Sequence, residues 1–132
     1  MADHTTIDEM LQAAQQRIVR LSPEEAAEAQ PGAIFVDTRD SADRTAEGVI
    51  PGSVRAHRNV LEWRADPTAE LPDARIADRS LQLIVVCNDG YSSSLAAASL
   101  LELGFERAAD LVGGYRAWKT AGLPTEAPEA SS

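Results

Sequence analysis

Gln82-Leu83-Ile84-Val85-Val86-Cys87-Asn88-Asp89-Gly90-Tyr91-Ser92-Ser93-Ser94-Leu95 is the stretch that decides the fold. After Gln82, Leu83 to Val86 form an apolar run without alternation, as expected of a strand buried on both faces. The run ends at Cys87, and Asn88-Asp89-Gly90-Tyr91 is a polar loop. Leu95, Ala96, Ala98, Ser99, Leu100 and Leu103 then recur at helical spacing, and Gly104 stops the pattern. A fully buried strand that passes at once into a helix is the unit of a parallel sheet covered by helices.

The flanking sequence repeats this unit. After Pro31-Gly32, Ala33-Ile34-Phe35-Val36 predicts a second buried strand, ending at Asp37. A short strand is expected over Ser53-Val54-Arg55-Ala56, a short helix over 59–64, and an irregular connection over 65–80. Ala108 to Leu111 predicts the last strand, Gly113-Gly114 a turn, and Tyr115 to Thr120 a closing helix. Towards the amino terminus, Ile7, Met10, Leu11, Ala14, Ile18 and Leu21 form an amphipathic stripe. Asp8 and Glu9 at its start, and Arg17 and Arg20 at its end, match the helix dipole. Ser22-Pro23-Glu24-Glu25 is a capping box with proline in the first turn. The fold class is therefore α/β: a central parallel sheet with helices on both faces, plus an extra N-terminal helix over 1–20, a main domain over 21–124 and a flexible tail over 125–132. Ligands of such sheets sit beyond the carboxyl ends of the strands, so Asp37, His57-Arg58 and Cys87 should gather at one edge.

Composition bounds the chemistry. The chain has 132 residues, enough for one domain that buries roughly two thirds of its unfolded surface. Twenty-one acidic residues against 12 basic ones give a net charge of −9. That balance argues against nucleic acid and anionic membranes, and it obliges any anionic substrate to find local arginines. No apolar run approaches the length of a membrane span, and Met1-Ala2-Asp3-His4 does not open a signal peptide. A cytoplasmic protein is expected. The one cysteine excludes an intramolecular disulfide and a thiolate metal cluster, and His4 and His57 supply no ligand spacing. No metal or cofactor is expected.

Cys87 by itself reads as a small buried hydrophobe. Its place at a strand-to-helix junction changes that reading, because unpaired N–H groups of the helix start would lower the thiol pKa. Gly90 can curl the loop N–H groups around the sulfur, and Ser92, Ser93 and Ser94 offer hydroxyls, one of which can serve as a helix N-cap.

The segment Cys87-Asn88-Asp89-Gly90-Tyr91-Ser92-Ser93 between strand and helix resembles the active-site loop of the rhodanese (sulfurtransferase) family. Val36-Asp37-Thr38-Arg39 resembles that family's Asp-x-Arg, and Gly48-Val49-Ile50-Pro51-Gly52-Ser53 its Gly-His-Ile-Pro-Gly-Ala turn. Gly113-Gly114, Trp118 and Gly122-Leu123-Pro124 resemble its closing motif, so the likeness runs from about Leu21 to Pro124. It implies transfer of sulfane sulfur through a Cys87 persulfide, from thiosulfate, mercaptopyruvate or a persulfide to a thiol or cyanide. The partners implied are a small sulfur donor and a thiol acceptor, handled by a monomer or weak homodimer. Asn88, Asp89, Gly90, Tyr91, Ser92, Ser93 and Arg58 are expected to bind substrate, with Asp37 and Arg39 structural nearby. Arg64 is a further candidate for anion binding, and His57 a packing or hydrogen-bonding residue. Two departures bear on the donor: Ser92 stands where thiosulfate-type members carry Arg or Lys, and Val49 where the turn carries His. A glycine three after the cysteine and a hydroxyl five after it also resemble the mercaptopyruvate-type loop. The competing readings are a cysteine phosphatase, which would need arginine at Ser93, a non-catalytic binding module of the same fold, and a carrier that takes persulfide from another protein.

Overall fold

The computed structural model describes residues 3–129. Its helices are α1 (Ile7–Arg17), α2 (Pro23–Glu28), α3 (Ser41–Glu47), α4 (Leu61–Ala65), α5 (Ser92–Glu102) and α6 (Gly114–Thr120). Its strands are β1 (Val19–Leu21), β2 (Ala33–Asp37), β3 (Val54–Arg55), β4 (Gln82–Val86) and β5 (Ala109–Leu111). They pair in parallel, in the order β1-β5-β4-β2-β3. Each central strand sends alternate side chains to opposite faces. Val36, Leu83 and Val85 pack with Ala14, Ile18, Leu61, Leu100 and Phe105 on one face. Phe35, Ile84 and Val86 pack with Ala26, Leu111, Tyr115 and Trp118 on the other.

The register of the two longest strands places the site. Ala33 lies opposite Gln82 and Asp37 opposite Val86, so β2 and β4 end level with each other. Thr38 and Arg39 consequently leave the sheet beside Cys87. Buried Asp37 anchors this end: it accepts from Arg39 N, Nε and Nη2 at 3.0, 3.1 and 2.9 Å, and from Arg44 Nε at 3.2 Å. The Arg39 guanidinium also donates to the Gly48 carbonyl at 2.8 Å and lies 3.9 Å from the centroid of the Tyr115 ring.

Three features differ from the sequence reading. The N-terminal stripe suggests one helix reaching Leu21, but α1 stops at Arg17, and Val19–Leu21 pairs with β5 as an edge strand. β-Branched Ile18 and Val19 suit that extended backbone. The boundary drawn at residue 20 thus falls inside a strand of the sheet, and Ala14 of α1 and Ile18 just after it pack into the core beside α5. Helix α3 has no apolar stripe to announce it, because the residue it turns inward is Arg44, towards Asp37. The stretch expected to fray after Pro124 is paired as far as Glu126, which exchanges backbone hydrogen bonds with Val49 at 2.8 and 2.9 Å. Trp118 Nε1 holds the Pro124 carbonyl at 2.8 Å just before it.

Asp37 compensates two buried guanidinium groups. Replacing it with alanine should destabilise the protein by about 3–5 kcal/mol, measured by urea unfolding, since the buried Arg39 guanidinium would lose its carboxylate.

Candidate active site

Strand β4 carries Cys87 to the carboxyl edge of the sheet, where the side chain is only 6% exposed. The loop then curls back, and two main-chain groups face the sulfur: Gly90 N–H donates to Sγ at 3.1 Å and Ser93 N–H at 3.4 Å. The opposite side of the loop is held by α6, whose Tyr115 N–H donates to the Cys87 carbonyl at 2.8 Å and Arg116 N–H to the Asn88 carbonyl at 3.2 Å. The helix start thus takes up loop carbonyls while the loop's own N–H groups stay turned to the sulfur. This arrangement needs close backbone approach. A Cβ on Gly90, at φ +87°, would stand 2.6 Å from Gly113 N, and one on Gly114, at φ +66°, 2.5 Å from the Cys87 carbonyl oxygen. The two glycine motifs interlock, although more than twenty residues separate them in sequence.

Burial pushes the Cys87 thiol up. The hydroxyls of Ser93 and Ser92 and the N–H groups of Ser93 and Gly90 pull it down, and the balance lies below the ordinary thiol range. The dipole of α5, which begins at Ser92, acts in the same direction. The site can therefore stabilise negative charge on sulfur without a side-chain base.

A cavity of about 390 Å³ opens over this sulfur. Of the loop residues expected to bind substrate, Asn88, Asp89, Tyr91 and Ser92 line it, whereas Gly90 and Ser93 hold the sulfur through their main chain. Asn88 Nδ2 donates to Asp43 at 3.0 Å, and its Oδ1 is buried without a partner. Asp89 is exposed and receives Arg116 Nη1 at 2.9 Å, while the same guanidinium also binds Glu47. Arg58 lines the cavity, but its Nη1 is occupied by both oxygens of Glu62, at 2.9 and 3.0 Å. Arg64 does not line it; that guanidinium holds the Leu71 carbonyl at 2.7 Å instead. Asp37 lies behind Arg39, which is buried, lines the cavity and has one nitrogen, Nη1, without a hydrogen bond. His57 accepts Asn59 N–H at Nδ1 and so presents Nε2–H to Asp40 at 2.9 Å.

Sequence reasoning missed Thr38, Asp40, Asp43 and Arg116. The first three follow β2 directly, and their signal was the Asp-x-Arg motif itself, which places the following turn beside Cys87. Arg116 comes from a helix start on the other side of the loop, and nothing local to Asp89 points to it.

The sequence model of the rhodanese-like domain family matches residues 22–121. The thiosulfate sulfurtransferase GlpE of Pseudomonas fluorescens is 34% identical over 115 residues, 86% of this chain and 94% of the relative. A sulfurtransferase of Allochromatium vinosum is 32% identical over 96 residues, 73% of this chain and 80% of the relative. Among solved structures, a Rhodopseudomonas palustris protein of unknown function, described as a possible tyrosine phosphatase, superposes with a TM-score of 0.87. It is 28% identical, and the match covers 96% of this chain and 98% of that one. With the family segment spanning β2 to β5, the Cys87 loop and the Gly113-Gly114 turn, the chain belongs to the rhodanese-like sulfurtransferase family.

Proposed function

We propose that this rhodanese-type sulfurtransferase works through a persulfide on Cys87. The Cys87 thiolate attacks the outer sulfur of the donor, a new S–S bond forms, and the donor's own bond to that sulfur breaks. The leaving group departs with the electron pair, as sulfite from thiosulfate or as a thiolate from an organic persulfide. The acceptor, a thiolate or cyanide, then attacks the outer sulfur of the persulfide and displaces the Cys87 thiolate. The observation that carries this reading is the pair of N–H groups aimed at Sγ from Gly90 and Ser93. Fixed donors of this kind stabilise anionic sulfur before and after each transfer and need no reorganisation. Neither metal nor cofactor enters such a cycle. A single thiolate suffices, acting in a monomer or weak homodimer without nucleic acid, in the reducing cytoplasm. No helix among the described residues is long and apolar enough to cross a membrane.

The charges around the cavity bear on the donor. Asp40, Asp43 and Asp89 stand against Arg39 and Arg58, with Asp89 engaged by Arg116 and Arg58 by Glu62. Ser92 adds no cation at the loop's end. The relatives named thiosulfate sulfurtransferase keep thiosulfate a candidate donor, but this rim favours a donor with less charge than that dianion. The phosphatase description of the structural neighbour transfers poorly. Phosphoryl chemistry leans on a bidentate arginine clamp, and here Ser93, six residues after the cysteine, is a buried serine bonded to Asp110.

Incubation with thiosulfate, mercaptopyruvate or a low-molecular-weight persulfide should add one sulfur atom to the intact protein by mass spectrometry, and Cys87→Ala should abolish the gain. Absence of an adduct with every donor would leave a binding module instead. Ser92→Arg should raise kcat/KM for thiosulfate about fivefold, the effect of one charge at about 4 Å worth about 1 kcal/mol in water. The rate of Cys87 alkylation should rise with pH to a midpoint below the ordinary thiol value of about 8.5, because the thiolate is the reacting form. Ser92→Ala should move that midpoint upward.

A further inference from the structure

Arg20 sits on edge strand β1, outside the segment that matches the family, and its guanidinium reaches beneath the Cys87 loop. Its Nε donates to Asp110 Oδ1 at 2.9 Å, and its Nη2 to Asp110 Oδ2 at 3.3 Å. The same Nη2 donates to the Gly90 carbonyl at 3.1 Å. Asp110, on β5, is fully buried, and its Oδ2 also accepts the hydroxyls of Ser93 at 2.9 Å and Ser94 at 2.7 Å. Gln15 of α1 in turn donates to Ser94 Oγ at 3.3 Å. One ion pair therefore touches both residues whose N–H groups face the sulfur: Gly90 through its carbonyl and Ser93 through its hydroxyl.

This geometry has an electrostatic side. The Ser93 hydroxyl donates its one proton to Asp110 at 2.9 Å, and the same hydroxyl helps to pull the Cys87 thiol down. Arg20 neutralises Asp110 and so weakens that carboxylate's hold on the proton. Without Arg20, a bare carboxylate would keep the Ser93 proton and stand behind the sulfur as a buried negative charge. Both consequences disfavour a sulfur anion.

We propose that Arg20, with Asp110, is a positioning residue for the reaction: it fixes Gly90 and Ser93 so that their N–H groups stay directed at Cys87. The N-terminal segment thereby contributes to sulfur transfer without touching substrate. The proposal rests on the reading of Cys87 as the reacting thiol, but its test needs no sulfur donor. Alkylation by iodoacetamide, followed against pH on the full chain, reports on Cys87 alone because the chain has one cysteine. Arg20→Met should raise the midpoint by roughly one unit, slowing alkylation about tenfold at pH values below it. Arg20→Lys, which keeps the charge but not the forked reach to Gly90, should give a smaller shift in the same direction. A folded Arg20→Met protein with an unchanged midpoint would mean that Arg20 only stabilises the fold. If Arg20→Met melts below the assay temperature, Arg20→Lys decides: an upward shift supports the proposal and an unmoved midpoint overturns it. Failure of sulfur transfer in the unsubstituted protein would strike the persulfide reading and leave this result standing.

Discussion

The hydrogen bond from Tyr115 N–H to the Cys87 carbonyl, 2.8 Å long, is the constraint on which the site depends. It commits the peptide after Cys87 to face α6, and with its neighbour from Arg116 to Asn88 it fixes which way the loop turns. Only then can the N–H groups of Gly90 and Ser93 converge on the sulfur. The bond requires that two loops meet backbone to backbone, and Gly90 and Gly114 are the residues that permit it. The proposed persulfide cradle is a property of main-chain geometry, which explains why so little side-chain chemistry surrounds Cys87.

Two buried carboxylates, each bound to arginine, hold the strand ends on either side of β4. On one side Asp37 gathers Arg39 and Arg44, and Arg39 covers the ring of Tyr115, the residue whose N–H fixes the loop. On the other side Asp110 takes Arg20 and the hydroxyls of Ser93 and Ser94. The first cluster orders the turn that brings Thr38, Asp40 and Asp43 to the cavity, and the second holds Gly90 and Ser93, whose N–H groups face the sulfur. Breaking such pairs is costly, because a charge remains where water cannot reach it. The Cys87 loop is thus clamped from both sides by buried carboxylates.

How much of this was legible follows from the range of each signal. The strand ending at Cys87 was plain because burial on both faces leaves a continuous apolar run, and the α2 start because Ser22 and Glu25 form their capping box locally. Helix α3 was not, since its inward residue is Arg44 and a charged side chain gives no apolar period. Strand β1 hid in the continuation of the α1 stripe, and only its pairing with β5, some ninety residues away, makes it a strand. Sequence separations of 70 and 27 residues concealed Arg20 and Arg116 as neighbours of the loop. Arg20 was assigned to a helix dipole, and Asp89 was expected to bind substrate with no sign of the Arg116 that binds it. The sequence motifs located the nucleophile, while its supporting charges came from strand order and helix placement.

The sheet's outer strands have a consequence beyond the site. The edges are β1, three residues long, and β3, two residues long. Unpaired edges are the template on which one chain recruits another into intermolecular β-structure, and edges this short offer almost no ladder to extend. The long, apolar β4 lies in the interior, paired on both sides. Resistance to aggregation is therefore built into the strand order as well as the net negative charge, so substitutions that neutralise surface acids to admit anionic donors can be made without exposing an adhesive edge.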